Sequence, residues 1–403
     1  MFKILLFSCL SLPIILGISL ADHKNGANDD DPFRSPTPSE RAIDLGYEAE
    51  THKVTTEDGY ILQLHRITGR QNRTTSGTKP AVLMLHGLLD CSATWVLSDP
   101  SRSLAFMLSD WGYDVWLGNV RGNRYSRKHV SMNVLDDDFW KFSWHEMGIY
   151  DLPAMIDYIL KETKQEKIFY VGHSQGGTSF FVMASERPEY QKKLIATFAL
   201  APAVILSHTR NILIRLLAPI ANDIMKLGEL IGVTEFTPSS KLIQILGQEM
   251  CKEDMITQPI CRNIIFLAGG IDVGLNMTLV PSVAKYDPAG ASVRQVVHYA
   301  QLLNSGRFQQ YDHGLVRNLR QYGSILPPQY DLSKVTMPVH IHYSTNDALV
   351  DHKDSIKLYK MLPNAQKLLV PNSLFAHLDF VWGKDVDTLL YNKIFSLMQR
   401  YKN

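Results

Sequence analysis

A serine, an aspartate and a histidine lying far apart in the chain carry the chemistry most plainly written in this sequence. Ser174 stands in Gly172-His173-Ser174-Gln175-Gly176-Gly177, directly after the strand-like run 167–171 and before a helix-like run over 178–187. A G-x-S-x-G turn between a buried strand and a helix is a nucleophile elbow, which strains the serine backbone and lifts its Oγ clear of the sheet. Gly172 and Gly176 are needed because a Cβ at either place would run into the neighbouring strand or helix. A serine hydroxyl attacks an acyl carbon only when a base takes its proton and a carboxylate orients that base. Acyl transfer is therefore the chemistry to look for. The rest of the chain must supply a base, an acid and donors for an oxyanion.

The histidines beyond Ser174 are His208, His298, His313, His340, His342, His352 and His377. His340 and His342 fall in the apolar run 338–343 and read as strand or core residues. His377 lies in Phe375-Ala376-His377-Leu378-Asp379-Phe380, between the strand-like 367–370 and a helix expected from about 386 to 400. A loop after the last strand is where the base belongs, since in this arrangement the order is serine, acid, histidine. The acid then comes from the loop 343–351, with Asp347 as the choice. Asp351 and Asp354 open a helix over 353–361, where carboxylates serve capping and the helix dipole. The run 81–89 reads as a strand ending in a His86-Gly87 turn. The backbone N–H groups of Leu88 and Gln175 are the expected oxyanion donors, with His86 shaping the hole as a buried turn histidine.

These residues need a scaffold, and the periodicity supplies one. Strands are expected at 53–56, 60–66, 81–86, 113–118, 167–171, 195–200, 339–343 and 367–370, with helices at 103–111, 149–162 and 178–187 among them. That alternation gives an α/β-hydrolase fold: a mostly parallel central sheet, helices on both faces and an inserted, largely helical cap. The gap from about 204 to 332 is too long for a connection and must be the insertion. In it Leu213, Leu217, Ile220, Ile224, Leu227 and Ile231 recur at helical spacing opposite Arg215, Asn222, Asp223, Lys226 and Glu229. With Ile243, Ile245, Leu246 and Ile264-Ile265-Phe266-Leu267, the cap has apolar surface enough for an acyl tunnel or a lid. The expected organisation is 1–21 signal peptide, 22–45 flexible leader or propeptide, 46–203 and 333–403 hydrolase core, and 204–332 cap.

Composition agrees with a hydrolase that enters the secretory pathway. The 403 residues suit one large α/β domain with an insertion, and a net charge of +1 leaves no electrostatic footprint for nucleic acid. Lys3 precedes an apolar stretch over 4–20 that is interrupted by Pro13 and Gly17, and Ser19-Leu20-Ala21 is a small-x-small cleavage site. The acidic, proline-bearing run 22–40 has little apolar surface to pack. No cofactor and no metal are expected: the histidines are scattered, and neither C-x-x-C nor H-E-x-x-H occurs. Asn72-Arg73-Thr74 and Asn276-Met277-Thr278 are glycosylation sequons in that secretory context. Beyond the signal peptide the cysteines are Cys91, Cys251 and Cys261, an odd number. Cys251 and Cys261 bracket a short polar loop that a local disulfide would close in an oxidising compartment, which leaves Cys91 as a free thiol.

Taken with Thr56-Glu57-Asp58-Gly59-Tyr60-Ile61-Leu62, His86-Gly87-Leu88-Leu89, Trp116-Leu117-Gly118-Asn119-Val120-Arg121-Gly122-Asn123, Asp151-Leu152-Pro153-Ala154, Pro288-Ala289-Gly290-Ala291-Ser292 and His377-Leu378-Asp379-Phe380, the elbow makes the chain resemble the animal acid lipases. These are the gastric and lysosomal enzymes and their insect relatives. The resemblance runs from about residue 46 to the C-terminus. It implies a triad of Ser174, Asp347 and His377, an oxyanion hole at Leu88 and Gln175, and support for the Cys251–Cys261 pairing. The family's paired glycines before the acid are replaced here by Ser344-Thr345. It further implies cleavage of triacylglycerol or sterol esters at an oil–water or membrane interface, in a secreted or lysosomal compartment, with no stable protein partner. A soluble short-chain carboxylesterase is the alternative. A silent lipid-binding relative is disfavoured, because Ser174, Asp347 and His377 are all present.

Overall fold

A computed structural model describes residues 35–72, 77–230, 232–236 and 274–401, without the side chains at 213, 224, 227, 229 and 230. Eight strands build one twisted sheet: β1 (Tyr47–Thr55), β2 (Tyr60–Arg70), β3 (Ala81–Leu85), β4 (Asp114–Gly118), β5 (Ile168–His173), β6 (Leu194–Leu200), β7 (Val339–Tyr343) and β8 (Ala365–Leu369). Their spatial order is β1-β2-β4-β3-β5-β6-β7-β8, with a two-residue strand, Lys128–His129, beside β2. The β1/β2 and β2/β4 pairs are antiparallel, and every pair from β4 to β8 is parallel.

Strands β3 to β7 are buried along their whole length apart from Ile195, which is why they read as near-continuous apolar runs and not as alternation. Two apolar clusters cover the faces. One gathers Leu62, Leu83, Trp116, Met155, Tyr170 and Phe181, and the other Val82, Phe106, Val171, Phe198, Tyr391 and Ile394. Most expected strands and helices fall within a few residues of the observed ones and 339–343 matches end for end, but the strand expected at 53–56 runs from Tyr47 to Thr55. Arg121, fully buried, holds the turn after β4. Its Nε donates to Asp151 Oδ1 at 2.8 Å, its Nη2 to Asp58 Oδ1 at 2.8 Å, and its guanidinium lies 4.0 Å from the Tyr60 ring centroid.

Two expectations need correction. The leader does not extend to residue 45: a helix, Pro38–Asp44, is closed by a Thr37/Glu40 capping box, buries Pro38 and Ala42, and sends the Arg41 guanidinium to Val96 O and Leu97 O. Seven residues rarely hold a helix alone, and here tertiary contacts fix it. The apolar repeat from Leu213 to Ile231 is not one helix. It divides into Ile212–Leu217, a 3-10 turn at Ala218–Ile220 and Ala221–Leu230, because Pro219 has no N–H to continue the ladder and its ring clashes with the preceding turn. The signal peptide, Cys251 and Cys261, and the apolar positions 243–246 and 264–267 lie outside the described residues.

Candidate active site

The carboxyl ends of β3, β5, β7 and β8 converge on one edge of the sheet, where ligands sit in open α/β folds. β5 ends at His173 and hands over to a helix, Gln175–Glu186, with Ser174 as its N-cap at φ 51° and ψ −112°. This is a strained conformation for a residue with a side chain. The neighbourhood holds it in place. The Ser174 N–H donates to Leu200 O at 2.9 Å, and its carbonyl accepts from Thr178 N at 3.1 Å and Ala203 N at 3.3 Å. A Cβ on Gly172 would stand 2.7 Å from the Gly176 carbonyl carbon, and one on Gly176 would stand 2.4 Å from Leu85 O. Both distances are under contact, so the two glycines let the helix start press against β5 and the end of β3. Leu89 (φ 63°) and Ala201 (φ 44°), just past β3 and β6, are also left-handed, so backbone strain gathers at this edge.

The turn after β7 presents Asp347, which is buried. Its Oδ1 accepts the Leu349 and Val350 N–H groups at 2.9 and 2.8 Å, and its Oδ2 accepts His377 Nδ1–H at 2.7 Å. One oxygen is thus spent on fixing the carboxylate and the other on fixing the ring. His377 is carried by the segment after β8, whose Ala376 N–H donates to Asp379 Oδ2 at 2.8 Å. The His377 carbonyl accepts His173 Nε2–H at 3.2 Å, which ties the loop to the residue before Ser174. With Nδ1 committed to Asp347, Nε2 is the nitrogen left to exchange a proton. Asp351 instead caps the helix His352–Met361 through Lys353 N at 2.9 Å and pairs with Arg210 at 2.9 Å. Asp354 is taken by His208, whose N–H and Nδ1 reach it at 2.8 and 2.7 Å. His340 and His342 are buried on β7.

On the β3 side, a Cβ built on Gly87 would lie 3.5 Å from Ser174 Cβ, so the His86-Gly87-Leu88 turn abuts the serine. His86 is wholly inside the protein. It donates from Nδ1 to Gly87 O at 2.8 Å and accepts Val120 N–H and Asn123 Nδ2 at 3.3 and 3.1 Å on Nε2. Burial lowers its pKa to about 4, so the ring is a neutral spacer. Gln175, the first residue of the elbow helix, is fixed through its side chain by Gln295 Nε2, which donates to Oε1 at 3.2 Å. Gln295 belongs to a helix, Val293–Ser305, of the segment between β6 and β7, whose Tyr299 hydroxyl also donates to Thr178 Oγ1 at 3.0 Å.

Sequence reasoning missed Gln295, Arg210 and His173 as supports. Arg210 Nη2 donates to the carbonyls of Thr345 and Asp347 at 2.9 Å each, bracing the loop that carries Asp347. Gln295 lies 120 residues from Gln175 and Arg210 137 from Asp347, beyond the reach of any local pattern. His173, by contrast, sits inside the elbow motif, and that position was the signal available. Asn72 is exposed, Asn276 is partly buried with Oδ1 accepting Thr278 Oγ1 at 2.7 Å, and Cys91 is a buried free thiol. No described helix is long and apolar enough to cross a membrane.

The chain matches two family models, the partial alpha/beta-hydrolase lipase region over residues 38–99 and the alpha/beta hydrolase fold over residues 80–217. It is 44% identical over 365 residues to Lipase 3 of Drosophila melanogaster, covering 90% of this chain and 93% of that one. It is 39% identical to gastric triacylglycerol lipase of Bos taurus over 375 residues and 39% to lysosomal acid lipase/cholesteryl ester hydrolase of Homo sapiens over 377, each covering 92% of this chain and 93% of the relative. A soluble variant of monoglyceride lipase from Saccharomyces cerevisiae superposes with a TM-score of 0.50 at 17% identity, over 87% of this chain and 96% of that one, a likeness of fold alone.

Proposed function

This chain belongs to the animal acid lipase family, and on that premise we propose that it cleaves acyl esters of neutral lipids, triacylglycerols or sterol esters, through an acyl-enzyme on Ser174. The observation that carries the reading is the strained Ser174 elbow on the same sheet edge as the 2.7 Å His377–Asp347 hydrogen bond. In the first half-reaction His377 Nε2 takes the Ser174 proton as Oγ attacks the ester carbonyl. Charge on the carbonyl oxygen falls to the Leu88 and Gln175 N–H groups, while Asp347 stabilises the imidazolium without itself taking the proton. The alcohol leaves with the proton held by His377. Water, deprotonated by the same ring, then releases the fatty acid and regenerates Ser174.

Apolar residues on the segment between β6 and β7 support a water-poor substrate. Ile212 and Leu216 are 74% and 69% exposed, with Leu217 and Ile220 beside them. Exposed apolar surface costs about 25 cal/mol per Å² in water, a cost that contact with a lipid interface offsets. We take this segment as the cap and the secretory pathway, ending in secretion or a lysosomal lumen, as the enzyme's location. Hydrolysis of emulsified triolein, cholesteryl oleate and a soluble butyrate ester, each by wild type and Ser174→Ala, tests the proposal. Lipid hydrolysis that disappears with Ser174 is expected. Turnover of butyrate alone would favour a soluble carboxylesterase.

A further inference from the structure

Asp90 and Asp287 have no part in these steps, yet they stand against the loop that presents Leu88. Asp90 directly follows Leu89, is buried, and accepts the Cys91 N–H on Oδ1 at 2.6 Å. Asp287 arrives from the segment between β6 and β7, where the nearby Ala289 N–H donates to Leu89 O at 2.6 Å. A carboxylate oxygen of each acid and Cys91 Sγ lie within 4.8 Å of one another. Both Asp287 oxygens are out of solvent with no donor directed at either, whereas Asp90 has an amide. Two carboxylates so close and so shielded do not both ionise, since like charges in a low dielectric raise each other's proton affinity. Asp287 is the natural holder of the proton, and the Asp90 carboxylate is the acceptor beside it.

The surrounding groups agree with that assignment. Burial pushes Asp90 above the ordinary carboxylate range against the pull of the Cys91 and Gly87 amides and the Thr94 hydroxyl. Burial and then the Asp90 charge push Asp287 well above the carboxylate range. Arg124 works in the opposite direction, but its Nη1 donates to Lys285 O at 2.7 Å and its guanidinium lies over the Tyr125 and Tyr286 rings. Burial keeps the Cys91 thiol and both phenols neutral, and Arg41 and Glu40 act on Tyr286 with opposite sign.

We propose that Asp287 donates its proton in a hydrogen bond to the Asp90 carboxylate, and that this proton-sharing pair is a positioning clasp that keeps the Leu88 loop in register for catalysis and loosens it when the proton is lost. The loop half of the proposal rests on the reading of Leu88 as an oxyanion donor; the shared proton does not. Because both acids bind protons more tightly in the folded chain than unfolded, the clasp's stabilisation is complete at low pH and is lost as pH rises through the folded values.

The test uses Asp287→Asn, which keeps a donor and cannot ionise, and Asp287→Ala, which removes it. For both and for wild type, kcat, KM and the thermal midpoint are measured on a soluble ester from about pH 4 to pH 9. Wild type is expected to lose midpoint progressively as pH rises above the ordinary carboxylate value of about 4 and to lose kcat toward the alkaline end, where Asp287 gives up its proton. Asn is expected to carry both about one pH unit or more further, and Ala to lose about tenfold in kcat at every pH with KM little moved. Asp90→Asn, which keeps the acceptor, should shift the alkaline limb in the same direction. Superposable midpoint profiles for wild type and both Asn variants would overturn the shared proton. A shifted midpoint with an unshifted kcat would overturn the clasp and count against Leu88 while leaving the pair intact. Activity lost to a chelator and restored by calcium would assign the cluster to a cation instead.

Discussion

The sheet edge and the segment between β6 and β7 are built on opposite principles. At the edge, three groups at the centre of the site are bonded: buried Asp347 has two amides and a ring, buried His86 has three partners, and Ser174 is held by bonds to both of its main-chain groups. In the other region Ile212 and Leu216 stand in water with most of their surface exposed. The contrast separates two jobs. Satisfied polar networks hold side chains rigidly in register, and under the proposed function the exposed apolar surface is where a substrate that shuns water would gain by docking. Mutations in the first region should remove turnover for every ester, and mutations in the second should discriminate between esters.

The largest effect expected is that of Ser174→Ala, a loss of roughly 10⁴-fold or more in kcat on all substrates with folding retained, since the side chain contributes little packing. Retained activity on one ester class would break the division. Asp347→Asn should follow closely, at about 10³- to 10⁴-fold, because the amide cannot hold the imidazolium. Asp351→Asn should cost little, as asparagine caps helices as well as aspartate does. Reversed losses in matched kinetics would move the acid to Asp351. Ile212→Asp and Leu216→Asp should lower emulsified triolein turnover by about tenfold and soluble butyrate turnover by less than about twofold. Equal losses on both substrates would make these residues ordinary cover. The smallest effect concerns acid stability. Burial lowers His342 to about 3, so the unfolded chain binds the extra proton first and stability drains away as pH falls below about 6.5. His342→Phe should flatten the acid limb of the thermal midpoint by a few degrees, and an unchanged limb would remove His342 from that account.

What the sequence revealed follows the range of the forces involved. The parallel strands were legible because burial on both faces leaves uninterrupted apolar runs, and the Ser174 turn because its two glycines answer a local collision. Strand order pointed to the loops of His377 and Asp347, and the capping pattern at the following helix set Asp351 and Asp354 apart from Asp347. The Pro38–Asp44 helix was not legible, since its stability comes from Arg41 reaching Val96 and Leu97. The division of the 212–230 helix was legible in principle, through Pro219, but the apolar repeat masked it. Supports such as Gln295 and Arg210, and the meeting of Asp90 with Asp287, depend on chain returns of more than a hundred residues, where spacing carries no signal.

Labelling with a fluorophosphonate, which forms a stable bond only with an activated serine, tests the central claim most directly. Peptide mapping of the labelled wild type should place one equivalent on Ser174, with labelling abolished in Ser174→Ala and strongly slowed in Asp347→Asn. A label on any other serine, or undiminished labelling of the Ser174→Ala protein, would contradict the account.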